Sequence, residues 1–95
     1  MTKRKMTNQE KRFVDAMMLH GCVICGEQAQ FHHLPMARPD ALAIGYPLCR
    51  DHHQGEAFPG QSVHSDRLLF CGKHGSELEL FQQAMLKVFE RSLPF

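Results

Sequence analysis

Two residue pairs with the same spacing constrain the fold of this chain more than any other sequence feature. Cys22 and Cys25 form a Cys-x-x-Cys pair followed by Gly26, and Cys49 and His52 form a Cys-x-x-His pair. Three thiolates and one imidazole suit tetrahedral Zn²⁺, and a glycine after the first pair can adopt the positive φ that such a turn often needs. The alternatives are ordinary buried cysteines or a redox pair with reactive thiols. No thioredoxin-like βαβ pattern accompanies the cysteines, so the spacing favours a structural zinc site.

A third pair leaves one alternative open for the second half of this zinc site. Cys71 and His74 have the same Cys-x-x-His spacing and could replace Cys49 and His52. We favour Cys49 and His52 because they lie at the end of a predicted strand and beside another histidine, His53. In that case Cys71 and His74 are packing and capping residues before the last predicted helix.

The length of the chain, 95 residues, predicts one domain with a small core that a metal ion can stabilise. We expect residues 1–7 to form a basic tail and residues 8–95 to form the folded domain. No export signal and no apolar segment able to span a membrane is recognisable. We therefore expect a cytoplasmic protein without a membrane partner, whose reduced cysteines bind metal. The sequence indicates no particular oligomeric state.

Charge is unevenly distributed along the chain, whose formal net charge is only +1. Residues 1–12 contain a single acidic side chain, Glu10, and five cationic ones: Lys3, Arg4, Lys5, Lys11 and Arg12. A basic segment on a near-neutral domain suits contact with nucleic-acid phosphates, although a solubilising chain end explains the composition equally well. We expect these five side chains to contact the backbone phosphates of a nucleic acid without selecting a sequence.

Two capping boxes predict helices near the ends of the chain. Thr7 and Glu10 open a helix over roughly residues 8–19, and Ser76 and Glu79 open a terminal helix. The apolar residues of the terminal helix recur at helical spacing and are expected to share one face: Leu78, Phe81, Met85, Val88 and Phe89.

The middle of the chain has β-compatible segments instead. Residues 28–34 and 44–48 are short and are bounded by glycine and proline, which predicts a small hairpin. A short helix is expected after Cys49, followed by a loop over residues 55–61. Together with the two terminal helices, this pattern predicts an α+β fold.

Four histidines in the central segment remain once the zinc ligands are assigned: His32, His33, His53 and His64. Adjacent side chains on a strand point to opposite faces, so one member of the first pair can bind a metal while the other approaches water or substrate differently. Phosphodiester hydrolysis needs a divalent cation and a general base, and neutral imidazole suits the base near pH 7. Three histidines on a metal and one as base would meet this need. Alternatively, these histidines are surface or structural residues.

The order of these motifs resembles that of the zinc-containing HNH (ββα-metal) nucleases, most closely the phage recombination-enhancement nucleases that act with RecA. The resemblance extends from Thr7 to about Met85 and rests on these segments: the Cys-x-x-Cys pair at 22–25, Phe-His-His-Leu at 31–34, Pro-Leu-Cys-Arg-Asp-His-His-Gln at 47–54, Ser-Val-His-Ser-Asp at 62–66 and Ser-Glu-Leu-Glu-Leu at 76–80. The asparagine that gives the HNH motif its middle letter is missing there, since the only asparagine is Asn8.

This resemblance implies a small zinc-stapled ββα-metal (HNH) domain with flanking N- and C-terminal helices. It also implies three sets of site residues: Cys22, Cys25, Cys49 and His52 for the structural zinc, His32, His53 and His64 for a catalytic Mg²⁺ or another divalent cation, and His33 as the general base. The implied activity is that of a metal-dependent DNA endonuclease, and a RecA filament on single-stranded DNA is a further implied partner. The alternative is a zinc-stapled nucleic-acid or protein interaction module without catalysis.

Overall fold

The computed structural model describes residues 5–92, which fold into four helices and two strands. In chain order these are α1 (Asn8–Met18), β1 (Ala29–His33), β2 (Gly45–Cys49), α2 (Arg50–Gln54), α3 (Arg67–His74) and α4 (Glu77–Ser92). The predicted α+β class, the hairpin and the short helix after Cys49 are confirmed. In the described part of the chain, none of the helices has the length and apolar character needed to cross a membrane.

The two strands form an antiparallel hairpin that carries the first histidine pair. Its register places His32 opposite Tyr46 and His33 opposite Gly45. A side chain at Gly45 would collide with the carbonyl oxygen of His32 and the ring of Phe31. The strands therefore approach closely at the histidine pair because position 45 has no side chain.

The second strand lies at the centre of the fold. β2 is buried along its whole length and contacts α1, α2 and α4 as well as β1. Large apolar side chains from α1, β2, α3, α4 and the loop before α3 are fully buried: Met17, Tyr46, Leu48, Val63, Phe70 and Leu80. Burial of one such side chain contributes about 1.5–3 kcal/mol, so this shared core stabilises the packing of the helices around β2.

Both predicted capping boxes are present. The Thr7 hydroxyl oxygen accepts from the Glu10 N–H at 3.1 Å, and the Glu10 carboxylate accepts from the Thr7 N–H at 2.8 Å. At the start of α4, the Ser76 hydroxyl oxygen accepts from the Glu79 N–H at 3.1 Å. These bonds satisfy helix N–H groups that have no partner within the helix, and they confirm both predicted helix starts.

The predicted core face of α4 is partly wrong. Leu78 is 50% exposed and Phe89 is 53% exposed, whereas the buried face begins with a charged residue, Glu77, which is 4% exposed. The apolar residues buried behind it on the same helix are Leu80, Phe81 and Ala84. The face of α4 that packs against the core therefore differs from the face that the apolar pattern predicts, and it includes a carboxylate with partners elsewhere in the fold.

Helix α3 is an element that the sequence analysis did not predict. Only Phe70 of its residues is buried, while Leu68 is 86% and Leu69 is 47% exposed, so it lacks a clear apolar stripe. Its start is fixed by Asp66, whose carboxylate accepts from the Leu69 N–H at 3.1 Å. A capping residue and one buried aromatic ring therefore stabilise this short helix.

Two candidate metal centres

The first candidate centre, here called the Cys3His cluster, consists of Cys22, Cys25, Cys49 and His52, whose ligand atoms all lie within 4.8 Å of one another. Cys22 Sγ lies 3.6 Å from His52 Nδ1, Cys25 Sγ lies 3.7 Å from Cys49 Sγ, and Cys49 Sγ lies 3.1 Å from His52 Nδ1. Zinc tetrahedra have bonds of about 2.3 Å to sulfur and 2.0–2.1 Å to nitrogen, hence edges of about 3.5–3.8 Å. Two of the three distances match these edges, so the cluster could hold a metal ion such as zinc.

A tight turn between α1 and β1 positions the first two cysteines. The Cys22 carbonyl oxygen accepts from the Gly26 N–H, and the Cys22 N–H donates to Glu27, both at 2.8 Å. Gly26 has a φ of +80°, which favours glycine. The Val23 N–H donates to the Pro47 carbonyl oxygen at 3.0 Å and thereby attaches the turn to β2.

The junction of β2 and α2 positions the other two ligands. Cys49 ends β2 and caps α2, and its sulfur accepts from the His52 N–H at 3.5 Å.

Desolvation raises the pKa of the Cys25 thiol to about 11, and the nearby thiols of Cys49 and Cys22 add to this effect. A bound cation would oppose this shift, because metal ligation stabilises thiolates.

The alternative pair, Cys71 and His74, is outside the Cys3His cluster. Both residues lie on α3, where the His74 ring is 4.8 Å from the Phe70 ring and 5.5 Å from the His52 ring, measured between centroids. Desolvation lowers the pKa of His74, and the nearby His52 contributes. His74 therefore packs beside the cluster, and the structure brings Cys49 and His52 to the first cysteine pair instead.

The second candidate centre, here called the three-histidine cluster, joins residues from three segments. His32 of β1, His53 of α2 and His64 of the loop before α3 have ligand atoms within 4.8 Å of one another. His32 is buried, His53 is half-buried and His64 is exposed, so one side of the cluster faces solvent. Imidazole nitrogens suit zinc, copper, iron and nickel, whereas Mg²⁺ prefers oxygen ligands.

Hydrogen bonds to the outer ring nitrogens of two histidines define their tautomers. The Gln30 side-chain oxygen accepts from Nδ1 of His53 at 2.8 Å, which leaves Nε2 as the free donor atom. Glu77 accepts from Nε2 of His32 at 2.7 Å, which leaves Nδ1 free. Desolvation lowers the pKa of both histidines. Both rings are thus neutral near pH 7, the form in which imidazole binds a metal.

A pair of serines holds the loop that carries His64. The Ser65 N–H donates to the Ser62 hydroxyl oxygen at 3.1 Å, and the Ser62 N–H donates to the Ser65 hydroxyl oxygen at 3.3 Å. Ser62 is fully buried, and the Val63 N–H donates to the His52 carbonyl oxygen at 3.0 Å. His64 is therefore exposed but projects from a well-anchored turn.

The sequence patterns assigned no contact to Glu77, which lies between Ser76 and Glu79 of the predicted capping box. Oε1 of Glu77 accepts from His32 at 2.7 Å and from the Tyr46 hydroxyl at 2.8 Å, and its Oε2 lies 2.9 Å from Nε of Arg67. One signal could have identified it. Glu77 precedes Phe81, a member of the predicted apolar face of α4, by four residues and therefore lies in phase with it.

His33 lies beside the three-histidine cluster in sequence but is not a member of it. The side chain is exposed, its ring packs edge-on against Phe31 at 5.1 Å, and Nε2–H donates to the Leu42 carbonyl oxygen at 3.0 Å. A carbonyl can only accept, so Nδ1 carries the free lone pair. This is the arrangement that a general base requires.

The basic N-terminal segment is only partly within the described residues. Lys5, Lys11 and Arg12 are exposed, while Lys3 and Arg4 lie outside the described range. The predicted contact of these five side chains with DNA stays a prediction.

Comparison with protein-family models and with curated proteins yields no match for this chain. Its class is therefore defined by fold and site alone: a small α+β domain with a two-stranded antiparallel sheet and a candidate Cys3His metal site. Any functional conclusion rests on the residues and their geometry.

Proposed function

We propose that this protein is a metal-dependent endonuclease of the HNH type, which hydrolyses phosphodiester bonds in DNA. The observation that carries this proposal is the convergence of His32, His53 and His64 from three separate segments. A fourth histidine, His33, follows His32 on β1 and has a free ring nitrogen. The succession of β1, β2 and α2 agrees with the order of elements in a ββα-metal unit.

The two candidate centres have different roles in this proposal. The Cys3His cluster offers four protein ligands, which is typical of structural zinc. The three-histidine cluster offers three ligands and is exposed to solvent at His64, so a phosphate could reach it. His32, His53 and His64 would hold a divalent ion there, and the chemistry it would supply is charge neutralisation on the scissile phosphate and on the departing oxygen. The all-nitrogen donor set favours a transition-metal ion over Mg²⁺.

His33 is proposed as the general base. Its Nδ1 would take a proton from the attacking water, while the Leu42 carbonyl holds Nε2–H and so fixes the ring orientation. The same carbonyl stabilises the imidazolium that forms, because it accepts from a charged N–H. A positioned base of this kind contributes about 10²–10⁴-fold to a rate.

The exposed Lys5, Lys11 and Arg12, with Lys3 and Arg4, are proposed to contact DNA phosphates. Such contacts add affinity that is independent of sequence and sensitive to salt. A RecA filament on single-stranded DNA is proposed as a further partner on the strength of the resemblance alone.

A plasmid-nicking assay tests the nuclease proposal directly. Zinc-loaded wild type, His33→Ala and the control His20→Ala, whose histidine belongs to neither cluster, are assayed with Mn²⁺, Co²⁺, Ni²⁺, Mg²⁺ or EDTA, each with and without RecA on single-stranded DNA. We expect wild type and His20→Ala to cut, EDTA to stop cutting, and His33→Ala to lose about 10²–10⁴-fold. Full activity of His33→Ala would exclude its role as base.

The same assay, together with the number of metal ions bound per chain, distinguishes a nuclease from a non-catalytic interaction module. A wild-type protein that binds one metal per chain and cuts under none of these conditions would be a zinc-stapled interaction module without catalysis. The nuclease proposal requires a second, separable metal on His32, His53 and His64.

A further inference from the structure

We infer that Glu77 is a positioning residue that sets the tautomer of His32 and thereby the metal affinity of the three-histidine cluster. The site would then include the junction of α3 and α4 as well as the hairpin and α2. This inference rests on the proposed function only in taking the cluster to be a metal site.

The hydrogen bond between these two residues determines which ring nitrogen is free. A carboxylate accepts but does not donate, so the proton of the neutral His32 ring is on Nε2, 2.7 Å from Oε1 of Glu77. His32 is 5% exposed and its ring packs edge-on against Tyr46 at 5.2 Å. The ring is thus held in one orientation, and Nδ1 is the only nitrogen that can coordinate a metal.

Three groups compensate the buried charge of Glu77. The Tyr46 hydroxyl donates to Oε1 at 2.8 Å, and Nε of Arg67 lies 2.9 Å from Oε2. Glu77 is also the first residue of α4, a helix of 16 residues, whose N-terminal dipole favours an anion. The side chain of Glu77 is 3% exposed and that of Arg67 is 49% exposed. A carboxylate this buried is stable only with such partners.

The three side chains that contact Glu77 come from three different elements of the fold. His32 is on β1, Tyr46 is on β2 and Arg67 is the first residue of α3, while Glu77 itself is the first residue of α4. The carboxylate therefore connects the last two helices to the ligand on β1. Hydrogen-bond partners of metal-bound histidines orient the ring and raise its basicity, and their loss typically lowers metal affinity about 10–100-fold.

Metal titration of the zinc-loaded 95-residue chain tests this inference. Wild type, Glu77→Gln and the control Glu79→Gln are titrated with Co²⁺. Binding is measured from the visible absorption of the bound Co²⁺ and by calorimetry. Glu79 is a matched control because it is an exposed carboxylate two residues away. We expect Glu77→Gln to bind the second metal about 10–100-fold more weakly, with Glu79→Gln unchanged and one zinc retained in all three. Unchanged Co²⁺ affinity in a folded Glu77→Gln protein would overturn the inference.

A second measurement needs no substitution and stays informative if Glu77→Gln fails to fold. In zinc-loaded wild type with an empty three-histidine cluster, ¹⁵N NMR of the imidazoles reports which ring nitrogen carries the proton. We expect the proton of His32 on Nε2, and a proton on Nδ1 would overturn the inference.

The two proposals can fail separately. A wild type that binds a second metal and cuts DNA, while Glu77→Gln retains full metal affinity, would remove the role of Glu77 and leave the nuclease proposal standing. A wild type that binds Co²⁺ at the histidines but never cuts DNA, while Glu77→Gln binds Co²⁺ more weakly, would remove the nuclease proposal and leave the role of Glu77 standing.

Discussion

The backbone N–H of Val63 donates a 3.0 Å hydrogen bond to the carbonyl oxygen of His52, and this bond links the two candidate metal centres. His52 belongs to the Cys3His cluster, and Val63 directly precedes His64 of the three-histidine cluster. His53 follows His52 on α2. Two of the three clustered histidines therefore depend on the position of one candidate zinc ligand.

This link predicts that loss of the Cys3His metal also impairs the three-histidine cluster. We expect Cys25→Ser, or treatment with a strong chelator, to remove zinc and to lower the thermal midpoint by at least about 10 °C, since structural zinc contributes several kcal/mol to small domains. Circular dichroism measures the thermal midpoint, and metal analysis of Cys25→Ser should show that the second metal is lost or weakened together with the zinc. Cys71→Ala is the matched control, because Cys71 lies outside the Cys3His cluster. This variant should keep one zinc per chain. A zinc-free Cys25→Ser protein with wild-type stability would contradict the prediction.

The three-histidine cluster predicts a second metal whose loss leaves the fold intact. His64 is exposed, so His64→Ala should change the free energy of unfolding by no more than about 0.5 kcal/mol. The same substitution should abolish tight binding of the second metal, because two ligands remain. Metal analysis should therefore give one metal per chain for His64→Ala and two for wild type and His20→Ala. Two tightly bound metals in His64→Ala would exclude this ligand set.

The closeness of the two strands predicts a strong effect at Gly45. A Cβ there would collide with the His32 carbonyl oxygen and the Phe31 ring, and forced shifts of this kind cost about 1–3 kcal/mol. Gly45→Ala should therefore unfold at a clearly lower denaturant concentration. Gly72 of α3 is the control, because a Cβ there has nothing within 4 Å. Gly72→Ala should be neutral, or stabilising by up to about 1 kcal/mol. Equal midpoints for the two variants would contradict the packing described at the hairpin.

Local sequence patterns were sufficient to predict the parts of the fold in which a residue and its partners lie close in sequence. The capping boxes at Thr7 and Ser76 are of this kind, as is the tight turn after Cys22. Fixed spacing also brought Cys49 and His52 together, because a cap and the third residue after it meet on the first turn of a helix.

Contacts between distant segments could not be predicted in this way. Glu77 meets His32 across 45 positions of the chain, and its burial depends on Arg67 and Tyr46, which periodicity cannot reveal. Gln30 likewise orients His53 from 23 positions away. Hydrophobic pattern assigns such polar residues to the surface, so the face of α4 was misassigned and the residues that orient the histidines were missed.

The proposed contact of the basic N-terminal segment with DNA predicts a specific salt dependence. Lys11→Ala combined with Arg12→Ala removes two exposed cations from α1, so the slope of log K against log salt should decrease by about 1.8, at about 0.9 per phosphate contact. Binding should weaken to a similar extent on unrelated sequences, because phosphates carry no sequence information. Lys73→Ala combined with Lys87→Ala removes the same charge from α3 and α4 and should leave the slope nearly unchanged. Fluorescence anisotropy over a range of salt concentrations measures all three proteins. Equal slopes for the two double variants would mean that net charge, and not this segment, determines the attraction to DNA.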